Sequence, residues 1–248
     1  MKYQKLSVFL SGKLVTAEPG SADAIITEYL LKHIHVKEDI SVEMVAEECH
    51  VGTGTVSRYV RNAGFQNFAE LRELMSEEDI QFERIDGPAD QLITYHTAAV
   101  NECISSVNMD EIVKLADMIR KSEKVSIFGL LKGQSAAVSL RTDLLSLGKL
   151  TYSVISPGEQ LEHILHSGKD ELIILFSATC SYFDYFDIRG RLEFLSCRNI
   201  WMIGCGERPS FVHHLISYHS SNIPLSHPLQ LLCISEMIAQ EYAKKLKK

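Results

Sequence analysis

The second half of the chain alternates short apolar runs with helical patterns, and this alternation limits the folds that it can adopt. Four runs are expected to form strands, at Val125–Phe128, Thr151–Ile155, Glu171–Phe176 and Ile200–Gly204. Segments with the apolar period of a helix separate them. Strands that alternate with helices form βαβ units and hence a parallel sheet. The sequence therefore predicts an α/β domain with a doubly wound parallel sheet, and an edge strand at Leu215–Tyr218.

The first 76 residues contain only helical patterns, so an all-α domain is expected to precede the α/β domain. In the second of these helices, Ile25, Ile26, Tyr29 and Leu30 are expected to face inward. Outside the stretch considered next, helices are predicted at residues 3–15, Ser21–His33, Asn67–Leu74, Asp90–Ser105, Asp110–Lys121, Ser135–Leu147, Glu159–His166, Phe183–Ser196 and His227–Leu246.

The stretch Ile40–Phe65 has the pattern of two short helices joined by a tight turn. In the first helix Val42, Val45 and Ala46 form one apolar stripe. Ser41 precedes that stripe, where its hydroxyl can cap a free backbone N–H group. We expect three segments: a helix-turn-helix domain at 1–76, a helical linker at 77–107 and the α/β domain at 108–248.

The turn is expected to use the positive φ that Gly52 allows, before a helix that starts at Thr53 and turns Val56, Tyr59 and Val60 inward. An arginine fork matches guanine edges and phosphates, so the outward face of this helix is the predicted DNA contact. An αα-hairpin with an ordinary solvated face is the alternative. The predicted contact residues carry hydroxyl and guanidinium groups and are Thr53, Thr55, Ser57, Arg58 and Arg61.

The net charge of −7 is unusual for a DNA-binding protein. Residues 1–75 hold eight Lys and Arg against ten Asp and Glu, so the predicted DNA-binding domain itself is near −2. Phosphate neutralisation supplies most non-specific DNA affinity. Binding by a monomer should therefore be weak, and a homodimer or homotetramer is expected.

Several protein classes do not fit the composition. No apolar run reaches the ~20 residues of a membrane span, and no apolar segment of a signal peptide follows Tyr3. The six cysteines lack a CxxC pair, which favours reduced thiols in a cytoplasm. Pairs such as His163 and His166 lack a third ligand, so no metal and no cofactor are expected.

Two loops follow predicted strands at the edge of the sheet where ligands bind in open parallel folds. The first loop is 129–135 and the second loop is 177–182. Their hydroxyl and amine groups can hold a phosphate, although simple helix capping explains the same composition equally well. The predicted ligand contacts are Lys132, Ser135, Ser177, Thr179 and Ser181.

The segment TVSRYVRNAGFQNFAEL resembles the second helix and following residues of RpiR-type bacterial regulators. Gly52 stands where that family has a capping serine. The resemblance implies a DNA-binding helix-turn-helix domain. The residues that match the family pattern are Val51, Thr55, Val56, Arg58, Tyr59, Gly64, Phe65 and Phe68.

Residues 108–248 resemble the sugar-isomerase (SIS) domain of the same regulators, which binds phosphosugars through Gly-x-Gly-x-Ser and Ser-x-Ser-Gly-x-Thr loops. Ser177 and Thr179 match the second loop, whereas Cys180 replaces its glycine and Tyr182 its threonine. Only Gly129 clearly matches the first loop, where Leu131 and Gly133 replace the second Gly and the Ser. A thiol at position 180 is expected to narrow the phosphate site.

Together these features predict a cytoplasmic DNA-binding transcriptional regulator of sugar metabolism that binds a palindromic operator on double-stranded DNA and is modulated by a phosphosugar. No catalytic residue is assigned. Two alternatives remain: a SIS-fold phosphosugar isomerase or lyase using Glu159 or Glu162 as a base, and a ligand-free dimerisation scaffold with a DNA-binding domain.

Overall fold

The computed structural model describes residues 6–34, 40–77, 87–185, 192–196, 198–220 and 224–246. Contacts divide the chain into two compact units. The first unit holds the residues before 83 with the short segments 156–158 and 183–187, and the second unit holds the rest. The domain limits predicted from the sequence remain a prediction.

The first unit is all-α, as predicted. Its core joins residues from every helix, among them Leu10, Leu30, Val45, Tyr59 and Leu71. Ile25 is 39% exposed, so the prediction that it faces inward is wrong, because Ala24 and Thr27 turn into the core instead. The helices are α1 Leu6–Thr16, α2 Ala22–His33, α3 Val42–Glu48, α4 Thr53–Asn62 and α5 Phe68–Glu77.

The second unit alternates helices and strands. Residues 186–191 and 197 lie outside the described residues, so the predicted helix Phe183–Ser196 is seen only as a 3₁₀ turn, Tyr182–Tyr185, and a short helix. The elements are α6 Ala89–Ser106, α7 Met109–Lys121, β1 Val125–Gly129, α8 Gly133–Ser146, α9 Pro157–His166, β2 Leu172–Phe176, α10 Leu192–Ser196, β3 Asn199–Gly204, β4 His214–Ser217 and α11 His227–Leu246.

The sheet is parallel, with the strand order β1-β2-β3-β4. Tyr152 forms a parallel bridge to Ser126 on the remaining edge of β1. The chain therefore leaves β1 toward one edge and later returns to the other, so the order reverses at β1 and the sheet is doubly wound, as predicted. The prediction of a strand over Thr151–Ile155 is wrong in length, since only Tyr152 forms a bridge there. The carbonyls of Val154 and Ile155 instead accept hydrogen bonds from the Gln160 side chain.

The core of the second unit packs α6, α7, α8 and α11 on one face of the sheet. All residues of β1 and β2 are buried, as is usual when both faces of a parallel sheet are covered. On the other face, the Phe128 ring meets His163 of α9 edge-on at 5.5 Å. Helix α6 is tied to the start of α11 by His96, which lies 2.9 Å from Ser226.

Candidate functional site

Helix α4 separates its residues into a buried face and an outward face. Val56, Tyr59 and Val60 are buried, as the pattern predicts. The five residues predicted to contact DNA all lie away from this buried stripe: Thr53, Arg58 and Arg61 are exposed, and Thr55 and Ser57 are half-buried at its margins.

A buried hydrogen bond fixes the rotation of α4. The hydroxyl oxygens of Tyr59 and Thr27 are 2.7 Å apart, and Thr27 donates its proton to the carbonyl of Asp23 at 2.6 Å. Tyr59 must therefore donate to Thr27, since a threonine hydroxyl has one proton. Burial raises the pKa of Tyr59 well above its usual value, which keeps the hydroxyl protonated. With Tyr59 held inward, Arg58 is held outward.

The turn between α3 and α4 differs from the expectation at one residue. His50, not Gly52, has the positive φ, of 53°, whereas Gly52 has a φ of −74° and is the N-cap of α4. The reason is the end of α3, where His50 N donates to Glu47 O and Val51 N donates to Ala46 O. These two bonds define a Schellman motif, which requires a left-handed residue at position 50.

Gly54 is a residue of the outward face that the sequence patterns did not single out. It shares one stripe with Arg58 and Arg61, at the i, i+4 and i+7 positions of α4. It is exposed, and a Cβ atom built on it would meet no other atom within 4 Å. A glycine inside an exposed helix lowers helix stability. The outward face of α4 is therefore open at Gly54.

The first loop passes from β1 to α8 through a sharp turn. Gly129 ends β1, Leu131 has a φ of 52°, and α8 begins at Gly133. A Cβ atom on Gly133 would lie 2.4 Å from the carbonyl oxygen of Phe176, so the start of α8 packs directly on the end of β2. Lys132 and Ser135 are exposed, and Ser135 donates its hydroxyl proton to the Lys132 carbonyl at 2.7 Å.

The second loop brings three predicted ligand contacts into one turn. Cys180 N donates to the Ser177 carbonyl at 2.9 Å, which closes the turn. The hydroxyls of Thr179 and Ser181 lie 2.6 Å apart near the surface, whereas Ser177 is only 8% exposed. The loops follow neighbouring strands, because Gly129 and Phe176 are register partners.

Cys180 has a φ of 58°, the left-handed conformation that glycine adopts most easily. Its side chain is 3% exposed and packs against Gly204, so the expectation that the thiol narrows the phosphate site is wrong. Burial raises the pKa of the Cys180 thiol to about 11. The thiol is therefore neutral at physiological pH and lies beneath the loop.

The residues after the second loop differ from the helix start that was predicted there. Tyr182–Tyr185 form a 3₁₀ turn in place of the first turn of an α-helix. The aligned N–H groups and dipole of a long helix, which favour an anion at its N-terminus, are therefore not supplied by these residues. An anion at the second loop would therefore have to be bound by the hydroxyls and the backbone N–H groups of the loop itself.

Gln160 and Tyr182 form a buried polar pair that the sequence patterns missed. Both side chains are fully buried. Tyr182 donates its hydroxyl proton to Gln160 Oε1 at 2.7 Å, and Gln160 Nε2 donates to the Gly129 carbonyl at 3.2 Å. A signal did exist: Gln160 occupies the apolar side of α9, four residues before buried Ile164.

Near the amino end of β1, Ser126, His163 and Glu171 line a cleft of about 320 Å³. His163 Nε2 lies 2.6 Å from the Glu171 carboxylate and 3.0 Å from the Ser126 hydroxyl. In a catalytic relay the histidine is the base, and the nucleophile and the orienting acid bind to different nitrogens of its ring. Because both partners meet the same nitrogen, this cluster is not such a relay.

Two negative findings apply to the described residues. Among them, no group of three or more His, Cys, Asp or Glu side chains is placed to hold a metal ion. In the same part of the chain, no helix is both long and apolar enough to cross a membrane. Glu159 and Glu162, the bases considered for an enzyme, are both exposed on α9.

Comparison with known proteins identifies the first unit. Residues 18–81 match the helix-turn-helix domain of the rpiR family. This segment is an rpiR-family helix-turn-helix domain. The chain is also 22% identical over 120 residues to an uncharacterized HTH-type transcriptional regulator of Caldanaerobacter subterraneus. That match covers 44% of this chain and 43% of the relative, so the chain spans less than half the length of this curated relative.

Solved structures share the fold of the chain. The NanR protein of Vibrio vulnificus, complexed with ManNAc-6P, matches with a TM-score of 0.55 and 10% identity, covering 98% of this chain and 93% of that chain. The sugar isomerase domain of an RpiR transcription factor from Sphaerobacter thermophilus gives 0.53 and 19%, covering 63% and 90%. An Escherichia coli protein in complex with A-5P gives 0.52 and 18%, covering 66% and 94%. The second unit therefore has the SIS-like fold.

Proposed function

We propose that the chain is a DNA-binding transcriptional regulator of sugar metabolism whose α/β unit binds a phosphosugar. The outward face of α4 carries this proposal, because Arg58 and Arg61 are exposed there at i and i+3 while Tyr59 anchors the opposite face. Two guanidinium groups on one outward helix face suit guanine edges and phosphates. Thr53, Thr55 and Ser57 complete the proposed contact.

The assembly that we propose is a homodimer or homotetramer on a palindromic operator in the cytoplasm. An acidic monomer gains little from phosphate neutralisation, whereas a symmetric dimer doubles its base and phosphate contacts. Two copies of α4 placed about 34 Å apart would contact successive major grooves of double-stranded DNA.

The proposed effector site comprises Lys132, Ser135, Ser177, Thr179 and Ser181. Support comes from the position of these residues in two loops at the reversal point of the sheet, and from two structures of the same fold that hold ManNAc-6P and A-5P. A phosphosugar that binds one arrangement of the assembly better than another would shift the population between them and so change operator affinity.

We propose no catalytic role. Glu159 and Glu162, the carboxylates considered as bases, are both exposed on α9, and Glu162 lies 3.5 Å from His166 on the same helix. A ligand-free scaffold is the second candidate, and two observations favour it: Ser177 is buried, and the residues after the second loop form a 3₁₀ turn.

The DNA proposal is tested with operator sequences selected from a random DNA pool by the full chain. Arg58→Ala should weaken binding to the selected operator by about 1–3 kcal/mol if the arginine contacts a base. The matched control is Lys32→Ala, which removes an exposed charge on α2 that pairs with Glu28. Wild-type affinity in the double variant Arg58→Ala/Arg61→Ala, with an unchanged circular dichroism spectrum, would contradict the proposal.

A further inference from the structure

The crevice where the sheet order reverses lies between the carboxyl ends of β1 and β2. Gly129 ends β1, Phe176 ends β2, and the two residues are register partners. In sheets of this topology small ligands bind in such a crevice. The side chains that already occupy it therefore decide what else can enter.

Tyr182 reaches this crevice from the side of β2. Its ring is fully buried although Thr179, three residues earlier, is exposed. Its hydroxyl meets Gln160, and Gln160 in turn meets the carbonyl of Gly129. The two side chains together span the distance from the second loop to the last residue of β1.

The orientation of Gln160 holds Tyr182 in place. Gln160 Nε2 also lies 2.8 Å from the Val154 carbonyl and 3.3 Å from the Ile155 carbonyl. Carbonyls only accept hydrogen bonds, so the amide nitrogen must face them and the amide oxygen must face Tyr182. Moving the tyrosine would leave a buried polar atom without its partner, which is unfavourable.

The polar groups that remain accessible lie at the rim of the crevice. Thr179, Lys132 and Ser135 are exposed and Ser181 is half-buried. They can hold a phosphate at the surface, whereas the Tyr182 ring is fully buried and linked through Gln160 to the end of β1. We propose that Tyr182 sets the size limit of this site and restricts it to short phosphorylated compounds, excluding phosphorylated hexoses. This inference rests on the proposed function of the same loops.

The test is calorimetry on the full chain with three probes: inorganic phosphate, glycerol phosphate and glucose 6-phosphate. The variants Tyr182→Phe, Tyr182→Leu and Tyr182→Thr remove first the hydroxyl and then the ring. Tyr152→Thr is the matched control, because Tyr152 is exposed and pairs with Ser126 near the other end of β1.

Wild type and Tyr182→Phe should bind glycerol phosphate more tightly than glucose 6-phosphate. Tyr182→Leu and Tyr182→Thr should tighten glucose 6-phosphate about tenfold or more, as expected when steric exclusion from a pocket is relieved. Their affinity for inorganic phosphate should stay within about twofold, because the rim contacts are unchanged. Tyr152→Thr should behave like wild type with all three probes.

Wild type that binds glucose 6-phosphate as tightly as glycerol phosphate would overturn the size limit and leave the proposed function standing. The size limit would also be overturned by a folded Tyr182→Leu or Tyr182→Thr variant whose affinity for glucose 6-phosphate is no higher than that of wild type. The leucine variant keeps apolar volume and decides the question if the threonine variant fails to fold. No binding of any probe by any variant would overturn the proposed effector site, and the size limit with it, but not the proposed DNA binding.

Discussion

Gly54 lies on the helix face that we propose to contact DNA, and as a glycine it makes α4 less stable than alanine would. Gly54→Ala should raise the free energy of unfolding of the first unit by about 0.4–1 kcal/mol, because alanine reduces the freedom of the unfolded chain. The added methyl group should at the same time weaken operator binding, because it stands in the stripe of Arg58 and Arg61. Thermal unfolding followed by circular dichroism and a DNA titration measure the two effects. Unchanged DNA affinity in the more stable variant would contradict the role of Gly54.

The buried thiol of Cys180 should lower the free energy of unfolding at alkaline pH. Burial raises its pKa to about 11 from an ordinary value of 9.0, so the folded protein keeps the proton that the unfolded chain loses first. The stability from the neutral thiol is fully present below pH 9 and declines toward pH 11, by about 1.4 kcal/mol per pH unit.

The measurement is urea unfolding between pH 7 and pH 11, followed by the fluorescence of Trp201, the single tryptophan, which is buried in the second unit. Cys180→Ala keeps the strained backbone and removes the titrating group. Its deficit in stability relative to wild type should shrink as the pH rises above 9. A deficit that is constant over the whole range would show that Cys180 does not titrate as described.

At the scale of elements, the junction of α8 with β2 depends on a residue without a side chain. Gly133→Ala would place a Cβ atom 2.4 Å from the Phe176 carbonyl oxygen, and a backbone atom cannot rotate away. We expect a loss of about 1–3 kcal/mol or more in the stability of the second unit. Trp201 fluorescence in urea measures it.

Gly168→Ala is the matched control for this change. Its Cβ atom would meet only the amide nitrogen of Asp170, at 4.0 Å, which is ordinary contact. Its effect should stay within about 0.5 kcal/mol. Equal effects of the two alanines would mean that the close approach of α8 to β2 does not matter for stability.

Elements with a strong apolar period were predictable, and α11 begins and ends where its pattern does. The failures have local causes. The strand at Thr151–Ile155 is shortened by a glutamine from another element, and the positive φ at His50 follows from the way α3 ends. Neither cause can be predicted from the affected residues alone, because each one lies in a neighbouring element.

The candidate sites were predictable to different degrees. The outward face of α4 follows from helical spacing, because one buried stripe determines where the remaining residues point. The second loop depends on backbone angles, such as the positive φ of Cys180, that decide which side chains are buried. The pair of Gln160 and Tyr182 joins residues from two elements, so neither segment alone reveals it.

At the scale of the whole molecule, the acidic charge predicts that DNA binding depends on assembly. A fragment of residues 1–82 contains the hydrophobic cluster of the first unit, which lies between Leu6 and Met75, but lacks the short segments 156–158 and 183–187. It should bind the selected operator far more weakly than the full chain at equal salt, and with a shallower salt dependence, since fewer phosphates are neutralised. Equal affinities at several salt concentrations would show that assembly does not supply the missing binding.

The two cores also differ in how much of the chain each one needs. The first is complete once Met75 has been made, whereas the second includes Cys103 and Tyr242, and α11 packs on α6, α7 and α8. Pairing of β1 with β2 must also wait for the intervening residues from Gly129 to Leu172. During synthesis at about 5–20 residues per second, the hydrophobic cluster of the helical unit can therefore form several seconds before that of the α/β unit is complete.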